Sequence, residues 1–262
     1  MRRLAAILFA CIAAAASAQT AEVLDLPTRP NVTQRALVLR PAAEPASVVV
    51  LLTGSTGQVG IFGNGSLRFE ANFLVRSRSL FLERGHAVVV LDPPSDRRDL
   101  GGNFRESAEH AADLGAVVAW ARRTWGKPVW LVGTSRGTHS AAEAARVLQG
   151  AEAPDGIVLT STIVARGRWA VATSARPVTE IDLTGAKLPV LVVHHQKDAC
   201  QICDPALLPA LMRQLPAGRS ELLTYDGGVT RGAECDAWAH HGFNGIEDRV
   251  VGDISSWIKA RP

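Results

Sequence analysis

Short, almost wholly apolar runs recur along the chain at 48 to 53 (VVVLLT), 87 to 91 (AVVVL), 128 to 132 (PVWLV), 157 to 160 (IVLT) and 189 to 193 (PVLVV). A strand with one wet face alternates apolar and polar residues, whereas a strand buried on both faces reads as a continuous apolar run. Segments of helical periodicity separate these runs, at 67 to 84 with a glycine stop at Gly85, at 106 to 123 and at 138 to 149, with further helices near 205 to 214 and 245 to 259. Residues 34 to 40 (QRALVLR) read as a half-buried strand, and 221 to 225 (ELLTY) as a further strand. Buried strands alternating with helices predict an α/β fold, a mostly parallel sheet covered on both faces. No Pro, Gly or Ser-rich linker divides it, so residues 19 to 262 are expected to form one α/β domain.

Residues 1 to 18 are read as a leader outside that domain. Arg2 and Arg3 precede an apolar run from Leu4 to Ala16, and the small residues Ala16, Ser17 and Ala18 supply an A-x-A cleavage site before Gln19. The run is shorter than the ~20 apolar residues a membrane-spanning helix needs. Leu8, Phe9, Ala10 and Cys11 loosely resemble a lipobox, but apolar sequence continues well past Cys11. Export to the periplasm or the medium is therefore expected, with no integral membrane segment after cleavage. In that oxidising setting Cys200, Cys203 and Cys235 allow one disulfide and one leftover thiol.

Composition excludes several classes of function. With 47% hydrophobic and 20% charged residues the chain buries a full core, which rules out intrinsic disorder. The glycines follow no period, which rules out collagen-like and repeat architectures. The net charge of +3 is carried almost entirely by arginines scattered among acids, so no basic stripe marks a nucleic-acid groove.

In sheets of this kind the chemistry sits at the carboxyl ends of the strands. There the strongest signal is Gly133-Thr134-Ser135-Arg136-Gly137, directly after one buried run and directly before a helix. A G-x-S-x-G pattern in this strand-turn-helix setting lifts the serine above the sheet, and its glycines leave room where side chains would collide with backbone. A serine hydroxyl needs a base, and the base an orienting acid. Asp198, just past the run at 189 to 193, stands where the acid belongs; its competitor Asp204 precedes Pro205 and reads as a helix cap. The base is expected from Ala239-His240-His241-Gly242-Phe243, and chain order alone does not choose between the two histidines. Oxyanion donors are expected from the amide of Arg136 and from the loop Thr53-Gly54-Ser55-Thr56-Gly57, with Ser55 preferred and Thr56 as its neighbour. A phosphate-binding reading of that loop lacks the G-K-[ST] ending.

With these segments in order, the chain resembles α/β-hydrolase-fold serine hydrolases. More narrowly, NFLVRSR at 72 to 78, PSDR at 94 to 97, GTSRGTHSAA at 133 to 142 and HGFNGIE at 241 to 247 are similar to a group of exported, largely uncharacterised bacterial α/β hydrolases. The resemblance implies a single histidine before Gly-Phe, which selects His241 as the base. It also implies a Cys200–Cys235 disulfide, leaving Cys203 free. A metal reading of His194, His195, Cys200 and Cys203 rests on the Cys-x-x-Cys spacing, but an exported chain more readily oxidises such thiols. The expected activity is cleavage of small-molecule carboxylic esters through an acyl-enzyme, calling for no metal or organic cofactor. A peptidase or amidase on the same residues and a catalytically idle binding protein are the alternatives.

Other features have structural readings. Arg76 and Arg78 are expected in an ion-pair network with Asp96 and Asp113. His139 is expected to pack behind the elbow, His110 is spaced to pair with Asp113, and Trp120, Trp125, Trp130 and Trp257 read as packing residues rather than a carbohydrate platform. The insert between the strands ending near Thr160 and starting near Pro189 carries Trp169 and is long enough only for a short flap.

Overall fold

The computed structural model describes residues 19–101, 103–167 and 176–261. The leader at 1 to 18 and Trp169 in the insert lie outside the described residues. An eight-stranded sheet runs in the order β1-β2-β4-β3-β5-β6-β7-β8. Its strands are β1 (Thr20–Arg29), β2 (Val32–Arg40), β3 (Ser47–Leu52), β4 (His86–Pro94), β5 (Val129–Thr134), β6 (Gly156–Thr160), β7 (Val190–His195) and β8 (Ser220–Tyr225). The pairs β1/β2 and β2/β4 are antiparallel, and every pair from β4/β3 through β7/β8 is parallel.

The apolar runs are the parallel centre of the sheet, and the period of two sorts their side chains between two cores. Val48, Val50 and Leu52 face one side with Val129 and Leu131; Val49 and Leu51 face the other with Trp130 and Val132. Burying each such side chain is worth about 1.5–3 kcal/mol, so both faces of the sheet need cover. Helices α3 (Ala108–Trp125), α4 (Gly137–Val147) and α5 (Leu208–Met212) cover the first face, and α1 (Phe73–Arg76), α2 (Arg78–Glu83) and α6 (Glu247–Lys259) the second. Helix α3 begins where the Ser107 hydroxyl accepts the His110 amide and stops at Gly126, whose φ of 61° a side chain would resist.

Two expectations change and one strand is added. Strand β1 carries Pro27, at which the pairing register with β2 shifts, and most of it is solvent-facing, so it has no clean alternation. The helix expected over 67 to 84 is two short helices broken at Ser77. Arg68 and Phe69 instead donate their amides to Gly60 and Val59, and the Asn72 side chain caps the amide of Leu74 and starts α1 there. The helix expected near 205 to 214 is a 3-10 turn, Pro205–Leu207, followed by α5, with Pro209 at the junction. Among the described residues of the insert between β6 and β7 only the 3-10 turn Val178–Glu180 is regular, and no described helix is long and apolar enough to cross a membrane.

Candidate active site

Ser135 follows β5 with φ at 51°, in the left-handed region. Its neighbours explain the glycines around it. A Cβ on Gly133 would lie 2.5 Å from the carbonyl oxygen of Gly137, and one on Gly137 would lie 2.0 Å from that of Leu52. Facing the serine, a Cβ on Gly54 would lie 2.9 Å from the Cβ of Ser135. The strained turn is held by the Ser135 amide, which donates to Thr160 at 3.0 Å, and by the Thr138 amide and hydroxyl, which both donate to the Ser135 carbonyl at 2.9 and 2.6 Å.

His241 belongs to the loop after β8 and is buried with Asp198, which follows β7. Its Nδ1 lies 2.9 Å from Asp198 Oδ2, while Asp198 Oδ1 accepts the Cys200 amide at 3.0 Å. The carboxylate therefore fixes the imidazole with its proton on Nδ1 and leaves Nε2 as the second ring nitrogen. Ser135 and His241 line one cleft of about 550 Å³, together with Ser55 and Thr56 from the loop after β3. Ser55 also has a left-handed φ, 49°. Among the described residues the amides of Ser55, Thr56 and Arg136 donate to no protein acceptor.

The second histidine lies elsewhere. His240 stacks on His195 with ring centres 4.3 Å apart and planes 8° apart, and its amide donates to Thr230. Asp204 caps the amide of Ala206, as its sequence position implies. Cys200 and Cys235 form a disulfide, and Cys203 is a buried free thiol whose pKa burial pushes well up. The bridge ties the loop of Asp198 to the loop of His241. His194, His195, Cys200 and Cys203 do not converge as a ligand set. His194 and His195 give their Nε2 to the carbonyls of Cys203 and Gly227, and Cys200 is bonded to Cys235. The donor atoms of Cys200, Cys203 and His241 do lie within 4.8 Å of one another, with the first of them in the disulfide.

The expected ion-pair network is replaced. Arg76 pairs with Glu247 at 2.9 Å and donates to the Gly242 carbonyl at 2.5 Å, so it clamps the residue after His241. Arg78 pairs with Glu70, while Asp96 and Asp113 both go to Arg29 on β1. Arg29 closes a strand whose sequence has no apolar pattern to announce it. His110 gives or takes a hydrogen bond with Ser140 at 2.8 Å rather than meeting Asp113, and His139 is buried behind the elbow as expected. Trp130 and Trp257 stack edge to face in the second core, and Trp120 and Trp125 pair beside the first.

Arg105 is the residue that sequence reasoning missed. Its fully buried guanidinium donates to the carbonyls of Thr53 at 3.1 Å and Ser55 at 3.3 Å and to the Ser140 hydroxyl at 3.0 Å. No carboxylate pairs with it among the described residues, and burial draws its pKa down to about 9, which leaves it a cation at neutral pH. A fixed positive charge thus holds the two carbonyls that flank the Ser55 amide. Its sequence neighbourhood, NFRES, carries no signal of that role.

No family model matches the chain, and no curated protein matches it. Solved structures do. An esterase of Pyrococcus furiosus superposes with a TM-score of 0.65 at 14% identity, over 93% of each chain. Esterase 2 of Thermogutta terrifontis, solved phosphoramylated by tabun, gives 0.61 at 18% identity over 91% of this chain and 93% of that one. A serine hydrolase of Xanthomonas campestris described as lacking a lid gives 0.55 at 18%, over 90% and 94%. By its sheet order, its strand-elbow-helix turn and these likenesses, the chain has the α/β-hydrolase fold.

Proposed function

We propose that the chain is an exported serine hydrolase that cleaves carboxylic esters. One observation carries this reading: Ser135, on a left-handed elbow, shares a cleft with His241, whose imidazole is held by buried Asp198. In the proposed reaction Ser135 Oγ attacks the ester carbonyl while His241 Nε2 takes its proton. Asp198 holds the Nδ1 proton and stabilises the imidazolium. The amides of Arg136 and Ser55 meet the oxyanion, with Arg105 fixing the loop of Ser55 from behind. Collapse expels the alcohol, protonated by His241, and leaves an acyl-Ser135 that water hydrolyses by the same steps in reverse.

Solved esterases of the same fold support ester over amide cleavage. The leader at 1 to 18 supports export, as does the Cys200–Cys235 bridge, since disulfides persist in oxidising compartments. Turnover of a short-chain p-nitrophenyl ester by the protein lacking residues 1 to 18 tests the reading. Ser135→Ala is expected to lower kcat by at least about 10³-fold, and full turnover by that variant contradicts the mechanism.

A further inference from the structure

A second groove of about 580 Å³ opens beside the Ser135 cleft, and Gln58, Arg68 and Phe69 line both. Its walls carry carboxylates and arginines, but the two are not equally free. Asp92 accepts the amides of Val59, Gly60 and Ile61, at 2.9, 3.0 and 2.8 Å, and Asp25 is held by Arg35 at 2.7 Å. In the Ser135 cleft, Glu70 pairs with Arg78 and Asp236 accepts the amide of Ala233. Arg68, Arg97 and Arg98, by contrast, have no carboxylate within ion-pair distance among the described residues.

The backbone that carries these exposed side chains is held at the groove, and one of the guanidiniums is packed. The Arg68 amide donates to Gly60, and the Arg97 guanidinium lies 4.0 Å above the ring of Phe104. The Arg98 carbonyl accepts the side-chain amide of Gln58 at 2.6 Å, which ties it to the junction of the two clefts. Phe69, half exposed, lines both clefts and offers an apolar surface where they meet, with the Arg68 guanidinium 5.5 Å from its ring centre.

We infer that this groove is a substrate subsite for an anionic end group, so that the preferred substrates are esters carrying an apolar spacer that ends in a carboxylate. The inference rests on the hydrolase reading and adds the substrate class to it. The carboxylate is far from the reacting carbonyl and meets the arginines equally in ground and transition states, so the preference lies in KM and not in kcat.

Two substrate series test it on the protein lacking residues 1 to 18. One compares p-nitrophenyl monoesters of straight-chain dicarboxylic acids with p-nitrophenyl alkanoates of equal length. The other compares butanoyl esters of ω-hydroxy acids with those of the matching alkanols, followed by pH-stat titration. In at least one series KM for the acid is expected to be roughly five- to tenfold lower, as two or three exposed pairs provide. Arg68→Gln combined with Arg97→Gln and Arg98→Gln takes that ratio to about one, and 0.5 M salt lowers it through screening. Neutral esters bound as well or better in both series overturn the inference alone, as does a ratio that survives the triple variant. Absence of any Ser135-dependent turnover overturns the hydrolase reading and the inference with it.

Discussion

The disulfide joins the two loops on which the proposed acid and base stand, so breaking it tests how the site is held. Cys200 follows Asp198 by two residues and gives its amide to that carboxylate; Cys235 precedes His241 in the loop after β8 and lines the cleft. The bridge spans 35 residues, and constraining a loop of that length in the unfolded chain is worth about 4 kcal/mol in the chain-entropy picture. For a chain of this size each kcal/mol moves the melting temperature by about 2–4 °C, so Cys235→Ser is expected to melt roughly 8–16 °C lower. Cys203 complicates the single variant, because its thiol can pair with Cys200 once Cys235 is gone. That substitute closes a loop of three residues and recovers about 2 kcal/mol of the loss. The double variant Cys203→Ser with Cys235→Ser removes the escape and is expected to show the full drop, while Cys203→Ala alone shifts melting by only a few degrees, about 1 kcal/mol. Thermal denaturation followed by circular dichroism, with non-reducing peptide mapping of each variant, reads all three. A double variant melting within about 3 °C of the parent refutes the loop-closure argument.

Arg105→Met removes the charge and the three hydrogen bonds behind the proposed oxyanion loop while keeping the length of the side chain. A direct oxyanion donor is worth about 10²–10³ in kcat, and a group acting through the loop is expected to lower kcat by roughly 10- to 100-fold with KM nearly unchanged. Steady-state kinetics on a p-nitrophenyl ester read the split, and a kcat within twofold of the parent removes Arg105 from the account. A separate expectation concerns acid. Burial holds His86 at a pKa of about 4 and His110 and His139 at about 3, against about 6.5 in the unfolded chain. The unfolded chain therefore binds more protons below that value. The stability from packing these rings neutral is complete above pH ~6.5 and lost as pH falls toward 4 and 3, by up to about 1.4 kcal/mol per pH unit for each histidine. Urea midpoints measured from pH 7 to pH 5 should fall steeply, and a flat series contradicts the buried-neutral assignment.

The central parallel strands β3 to β7 were legible because they are buried on both faces and therefore announce themselves as apolar runs. Strand β1 was not, since an edge strand with a proline at a register shift has neither alternation nor a continuous run. The candidate serine was legible because a left-handed turn against the backbone of Leu52 and Gly137 tolerates only glycine at its flanks, which writes the pattern into the sequence. Asp198 and the two histidines could be placed by strand order, yet choosing His241 over His240 needed the resemblance, because adjacent residues share every sequence-level property. The structure separates them by what each ring meets: Asp198 for His241, the face of His195 for His240. Arg76 and Arg105 act through backbone carbonyls of Gly242, Thr53 and Ser55, and carbonyls carry no residue identity for a sequence to display.

Covalent labelling by a fluorophosphonate tests whether Ser135 is a nucleophile activated by His241 without knowledge of the substrate. One adduct per chain is expected, mapped by mass spectrometry to Ser135 and absent in Ser135→Ala. His241→Ala is expected to slow labelling by about 10²-fold or more, whereas His240→Ala labels near the parental rate. A folded protein that takes up no label, or one in which His240→Ala slows labelling as much as His241→Ala, contradicts the activation of Ser135 by His241.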